Sequence, residues 1–360
     1  MVYHAPMFSR PGRTLPELCT DLADAVIRLD ERGSSTSFRA VVDRAGQADQ
    51  AELTDGLGRL IPALRQVSLG NGAMLAGLVA GLIETGADPV PVLEVLVDRV
   101  ARGLEQAARF PVLADKLGTE LVAPNSAAEA LAVHDRVVRA APAAGLGAEE
   151  AGEITQAWFT VNSWIPALLL PLQQKRARQA LPQRARLTGA VAAMTEAAED
   201  APWLLGLLLV LDDEQLVVVH RETGRAYALT ISGVGDNFQL HTLLAATLIG
   251  DPARGLIAGE PPHPAWVAAA TDGELAPPGG VHGRFNLVDC AGGWIWNEGR
   301  PADIPALDGR RVVVLDPPPY PRSWHVGRVY PLMTPQVTLD RVLDAEEAAW
   351  WAARLAPPTR

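Results

Sequence analysis

The stretch Trp203–Gly250, WLLGLLLVLDDEQLVVVHRETGRAYALTISGVGDNFQLHTLLAATLIG, constrains the fold more than any other part of the chain. Leu204 to Leu211 is almost continuously apolar, Asp212-Asp213-Glu214 is a polar turn, and Gln215 to Arg221 is rich in valine. The two runs are therefore expected to pair as a hairpin. Glu222-Thr223-Gly224 reverses the chain again. In Arg225 to Ser232, Tyr227, Leu229 and Ile231 share one face and Ala226, Ala228 and Thr230 the other, which is the period of a half-buried strand. The expectation is a three-stranded antiparallel meander. Asp236 then caps a helix, with Gln239 placed to reach back, and Leu240, Leu243, Leu244 and Leu248 form its buried stripe up to Gly250.

With 360 residues, 48% of them hydrophobic, the chain can bury two sizeable cores and is not a disordered polymer. The longest apolar runs, Leu204–Leu211 and Ala73–Ile83, fall short of the roughly 20 residues a membrane-crossing helix needs, so no membrane span is expected. The opening MVYHAPMFSRPGRT lacks the apolar core of a signal peptide. Cys19 and Cys290 lie in different halves and form no disulfide framework, which suits a reducing cytoplasm. Lys116 and Lys175 are the two lysines amid many arginines, and with abundant Ala, Gly and Pro this points to a GC-rich bacterial genome. A net charge of -11 argues against nucleic-acid binding, which draws its affinity from phosphate neutralisation. The local exception, Lys175, Arg176, Arg178, Arg184 and Arg186, is broken by Pro182 and reads as a solvated helix face.

From Thr14 the first half reads as helix after helix. Thr14 and Glu17 form a capping box for a helix running to near Gly33, with Cys19 on its buried side. Asp49 and Glu52 open another, in which Pro62 marks a kink or early stop. Gly72 to Glu84 has Ala73, Gly77 and Gly81 four residues apart, a small face suited to close approach of a neighbouring helix. Asp88 and Pro89 start a helix with a narrow polar stripe of Glu94, Asp98, Arg102 and Glu105. Further helices are expected over Ser126–Ala140, Ala148–Leu172 and Gln174–Glu199, with Trp158 and Trp164 anchoring a core and a hinge at Ala141–Gly147. No fixed-period repeat is present.

Beyond Gly250, residues 251–284 form a long Gly- and Pro-rich loop with one helical turn over Ala265–Ala270, a length usually associated with a lid or binding loop. Arg284–Cys290 and Trp294–Asn297 read as a strand pair broken by Gly292-Gly293. Arg311–Leu315 reads as a buried strand and Val326–Leu332 as a last strand. Asp344 with Glu347 caps a terminal helix carrying Trp350 and Trp351.

Ser232-Gly233-Val234-Gly235-Asp236 has the outline of a phosphate-binding turn. It lacks the third glycine and places a carboxylate where an anion would sit, so it reads as a turn and cap. The histidines at 4, 134, 220, 241, 263, 282 and 325 include no pair at metal-ligand spacing, and no metal or cofactor is expected. His220 reads as a strand-end or core residue. His241, Asn237 one helical turn before it, and His282 in the long loop are the candidate binding residues. The candidate catalytic set is Cys290 in Asp289-Cys290-Ala291-Gly292, Asp316, and His325 in Trp324-His325-Val326-Gly327. These two short pieces resemble the papain-like peptidoglycan endopeptidases, and the resemblance implies a Cys290 nucleophile with a His325 base. The chain departs from that family in placing Gly292-Gly293 and a strand, not a helix, after the cysteine.

The expected fold is α+β: an all-helical bundle or irregular solenoid over residues 1–200, then a mixed, mainly antiparallel sheet with flanking helices over 201–360. The scattered acids, bases and nucleophiles favour a non-catalytic cytoplasmic interaction protein with a protein or peptide partner. The alternative is a cysteine-dependent hydrolase or transferase using Cys290 and His325.

Overall fold

A computed structural model describes residues 13–118 and 127–359 of the chain. The opening segment, His4 and Ser126 lie outside the described residues. The fold is α+β, and the chain forms two compact units. One runs up to Pro171 and adds Ala180–Leu204; the other comprises Leu172–Gln179 and everything from Leu205 onward.

The first unit is built from helices α1 (Leu15–Ile27), α2 (Glu31–Ala45), α3 (Gln50–Gln66), α4 (Leu69–Thr85), α5 (Leu93–Ala107), α6 (Phe110–Lys116), α7 (Ala127–Ala140), α8 (Ala148–Thr160) and α9 (Pro166–Leu169). Helix α10 (Lys175–Gln179) belongs to the second unit, and α11 (Arg184–Ala192) to the first. The Thr14/Glu17 capping box is present, and Asp49 caps α3 by accepting from the Glu52 N–H. Helix α1 stops at Ile27, not near Gly33, because Leu29 turns left-handed (φ 56°) and Asp30 caps a new helix. Helix α3 runs through Pro62 to Gln66. The close helix approach falls at Gly72, not at Gly77 or Gly81. A Cβ on Gly72 would lie 2.3 Å from the Trp164 ring, whereas Gly77 and Gly81 face open space. Fully buried Trp164 donates from its indole N–H to the Leu69 carbonyl (2.8 Å) and carries the Arg99 guanidinium 5.2 Å above its ring. Trp158 stacks on Phe110 at 5.2 Å. The single long helix expected over Ala148–Leu172 is broken by a 3-10 turn at Val161–Ser163, next to Pro166. Ala141–Ala144 is likewise a 3-10 turn.

Where the chain passes from the first unit into the second, the apolar run after Trp203 is a helix, α12 (Ala201–Leu208), not a strand. Ala201, Leu204, Leu207 and Leu208 are buried at helical spacing, and a short run that is apolar throughout carries no periodicity to separate the two conformations. The expected meander is therefore a hairpin of β1 (Glu214–His220) and β2 (Arg225–Ser232), followed by α13 (Asn237–Leu248). The strands after it are β3 (Ile249–Gly250), β4 (Ile257–Ala258), β5 (Val281–His282), β6 (Asn286–Val288), β7 (Ala306–Leu307), β8 (Arg310–Asp316), β9 (Ser323–Trp324) and β10 (Gln336–Val342). The main sheet has the order β10-β2-β1-β8-β6, with β7 also on β8. All its pairings are antiparallel except β1 with β8, which run parallel in the centre. The last strand is β10, not Val326–Leu332. Residues 251–284 are more ordered than a plain loop, since they hold β3's partner β4, helix α14 (Pro264–Thr271) and β5.

The central strands are buried on both faces, as a parallel pair requires. Leu216 and Val218 of β1 pack with Tyr227, Leu229, Leu240 and Leu244 under α13. Val217 and Val219 pack with Ala226, Val312 and Trp351 under α15 (Ala345–Ala352). The basic cluster is not a solvated face: Arg178 of α10 is buried and forms a bidentate pair with Asp212 (2.7 and 2.8 Å), while Arg186 holds Glu105 and Asp98. Among the described residues no helix is long and apolar enough to cross a membrane.

Candidate functional site

Strand β1 ends at His220 and the parallel strand β8 ends at Asp316, so the carboxyl ends of both strands open at one edge of the sheet. The carboxyl ends of parallel strands are where open sheets place their ligands, because the loops leaving them diverge. Here the turn Glu222-Thr223-Gly224 leaves β1, Pro317-Pro318 leaves β8, and Gly259-Glu260 follows β4. Together they enclose a cavity of about 320 Å³. Its apolar surface comes from Ile249, Ile257, Phe285 and the two prolines, and its charged rim from Glu222, Glu260 and Arg284.

His220 projects into this cavity and is 6% exposed. Its Nδ1 lies 2.8 Å from the Thr223 hydroxyl across the tight turn, and its ring meets Phe285 edge-on at 5.9 Å. Burial is the largest influence on this imidazole and lowers its pKa, so it is neutral near pH 7. The His220–Thr223 contact fixes the ring at the cavity wall.

The sequence candidates fall in different places. His241 is fully buried, and its Nε2 accepts from the backbone N–H groups of Arg284 and Phe285, both at 3.2 Å. Burial, with Arg322 second, pushes its pKa down to about 3, so the proton of the neutral ring sits on Nδ1. This histidine does not face the cavity; it pins the backbone that supplies the cavity's Arg284 and Phe285. Asn237 is buried at the start of α13, where its side-chain N–H donates to the Trp296 carbonyl (2.8 Å). The backbone N–H groups of Asn237 and Phe238 are taken by the carbonyls of Asn297 and Gly299. His282 is exposed on β5, its ring edge-on to Trp266 at 6.4 Å.

Cys290 packs on the α15 side of the sheet, beside the cluster of Val217, Val219 and Trp351. Trp324 and Val326, on either side of His325, pack into the opposite cluster under α13. Among the described residues no hydrogen bond joins Cys290 to His325. Asp316 is buried and accepts from Arg221 Nε at 2.6 Å. Burial and then the Asp289 charge raise the Cys290 thiol above its ordinary value, opposite to what a nucleophile requires. Among the described residues no group of three His, Cys, Asp or Glu side chains is placed to hold a metal.

His220, Thr223 and Arg284 were not singled out as site residues from the sequence. Only the strand-end position of His220 is visible there; what brings these residues together is the β1–β8 pairing, which joins positions 95 residues apart, such as His220 and Leu315. No known protein-family model, curated protein or solved structure matches the chain.

Proposed function

We propose that this chain is a non-catalytic binding protein of a bacterial cytoplasm that holds a peptide, as part of a protein partner or free, in the cavity at the carboxyl ends of β1 and β8. The observation that carries this reading is the cavity's rim: charges of both signs, Arg284 against Glu222 and Glu260, stand over an apolar floor. A peptide end presents the matching set, an apolar side chain, a carboxylate and N–H donors, at a size such a cavity accommodates. Non-catalytic action is favoured by the chemistry of the lining. Burial weakens His220 as a base, and among the described residues no carboxylate is hydrogen-bonded to its ring to orient it. Two free thiols and an arginine-rich, lysine-poor composition support the cellular setting.

The test is affinity selection of a random tetrapeptide library on immobilised full-length chain, with the retained peptides sequenced by mass spectrometry. The wild-type chain is expected to retain peptides ending in an apolar residue with a free carboxylate. Arg284→Glu, which reverses the rim charge, and Ala258→Trp, which fills the cavity mouth, are expected to retain none. Equal retention by all three proteins contradicts the proposal.

A further inference from the structure

A second cavity, of about 210 Å³, lies elsewhere in the same unit, at the start of α13. It is lined by Trp294, Trp296, Asn237, Asp289, Arg300 and Asp303. Its aromatic wall follows from backbone geometry. The segment 294–296 is extended beside β6, held by the Val288–Trp294 bridge and by the Ile295 N–H donating to Leu287. In an extended segment residues i and i+2 project to the same side. Ile295 joins the core and also borders the cavity, and both indoles line it from the same side of the segment. Their centroids are 6.5 Å apart with planes inclined at 58°, so the two faces form an open corner. Among the described residues no guanidinium lies over either ring, although Arg300 is close by.

The polar groups of the wall are mostly acceptors. Arg300 is paired with Asp303 (Nε to Oδ2, 3.2 Å), so those two charges largely cancel. Asp289 has no cationic partner among the described residues: one of its oxygens accepts from the Ala291 and Gly293 N–H groups at 2.8 and 2.9 Å, which orders the turn. Asn237 is 2% exposed, and its Oδ1 has no hydrogen-bond partner among the described residues. A buried amide oxygen without a donor is uncommon and adds a partial negative charge behind the wall. Two indole rings, a carboxylate without a cationic partner and an orphan carbonyl oxygen behind them all favour the same ligand chemistry, a cationic nitrogen borne on a short alkyl chain.

We propose that this cavity is a site for an alkylammonium group, whether a free small amine or a lysine side chain of a partner protein. The cation stands against the faces of Trp294 and Trp296 with its charge toward Asp289, and its alkyl part lies along the indoles. The site is independent of the peptide cavity and shares no residue with it.

The test is titration of the isotope-labelled full chain with n-butylammonium chloride, following the indole N–H signals of Trp294 and Trp296 by NMR. n-Butanol serves as the neutral isostere and potassium chloride as the inorganic control. Butylammonium is expected to shift both signals saturably, with butanol and potassium at least ten-fold weaker. Trp296→Leu keeps an apolar side chain at a position that is 70% exposed, so folding is not at stake, and it is expected to weaken binding at least ten-fold. Asp289→Asn retains an acceptor for the turn and is expected to do the same. A capped Gly-Lys-Gly peptide binding more tightly than butylammonium identifies a partner's lysine as the source, and the reverse order identifies a free amine. Equal response to butanol, equal competition by potassium, or an unchanged affinity in Trp296→Leu overturns the proposal.

Discussion

Arg178 shows how much one side chain can hold. Its side chain is 1% exposed and that of Asp212 10%, and its guanidinium also donates to the Leu172 and Gln173 carbonyls at 2.9 and 3.0 Å. Removing one member of such a buried pair leaves the other charged and desolvated. Arg178→Ala is therefore expected to cost about 3–5 kcal/mol in urea unfolding. A loss below about 1 kcal/mol would mean that Asp212 finds water or another donor. The two thiols offer a second check. Burial pushes Cys19 up to about 12, and burial with Asp289 raises Cys290. Iodoacetamide at pH 8 is expected to modify Cys290 no faster than a free model thiol and Cys19 only on unfolding. A fast phase abolished by His325→Ala would revive the cysteine-dependent reading. At this scale the sequence was legible where chemistry is local: Asp289 beside Cys290 can be read directly. The buried role of Arg178 could not be, because its partner is 34 residues away and its neighbours look like a solvated run.

Helix caps depend on three or four adjacent residues, which is why Thr14/Glu17, Asp49/Glu52, Asp236/Gln239 and Asp344/Glu347 were all found from sequence. Around α13 the detail differs from a simple capping box. Asp236 accepts from the Gln239 N–H at 2.8 Å, but the Gln239 side chain accepts from Gly235 at 2.7 Å and donates to the Ala270 carbonyl at 2.7 Å. Elements defined by partners rather than neighbours are not legible in the sequence: α12 has the composition of a buried strand, and β10 lacks an unbroken period. The β10 sequence QVTLDRV does alternate, with Val337, Leu339 and Val342 against the core, but the register shift between Leu339 and Arg341 breaks the period. The α13 cap carries a pH-dependent prediction. Burial raises the Asp236 carboxyl to about 6, above the roughly 3.9 of an unfolded chain. The folded state then holds a proton that the unfolded state has released. This contribution to stability is fully present below about pH 4 and is lost as pH rises through about 6. Asparagine caps as well as aspartate and carries no charge. Asp236→Asn is expected to match the wild-type chain at pH 4 and to exceed it by about 2–3 kcal/mol at pH 7.5. A constant difference across that range would show that Asp236 is ionised in the fold at little cost.

On the scale of the whole molecule, the α+β class and the order of helices before sheet are visible from the switch to a period of two in Arg225–Ser232, whereas the path of the chain is not. The second unit takes in Leu172–Gln179 before the chain returns to the first, and this short piece brings Arg178 to Asp212 and Lys175 to Asp213. A fragment beginning at residue 201, where composition alone would place a boundary, leaves both aspartates without their cations. It is expected to melt well below the corresponding transition of the full chain, and equal melting would show that the excursion is dispensable. The parallel β1–β8 pair has a larger consequence, since it creates the edge where His220, Thr223 and Arg284 meet. The most direct measurement is mass spectrometry of a random tetrapeptide library after prolonged incubation with the full chain, of both the bound and the unbound fractions. The account predicts intact peptides with free carboxyl ends enriched in the bound fraction, no new masses in either, and loss of the enrichment in Arg284→Glu. Shortened or modified peptides that depend on the chain, or no enrichment at all, would contradict it.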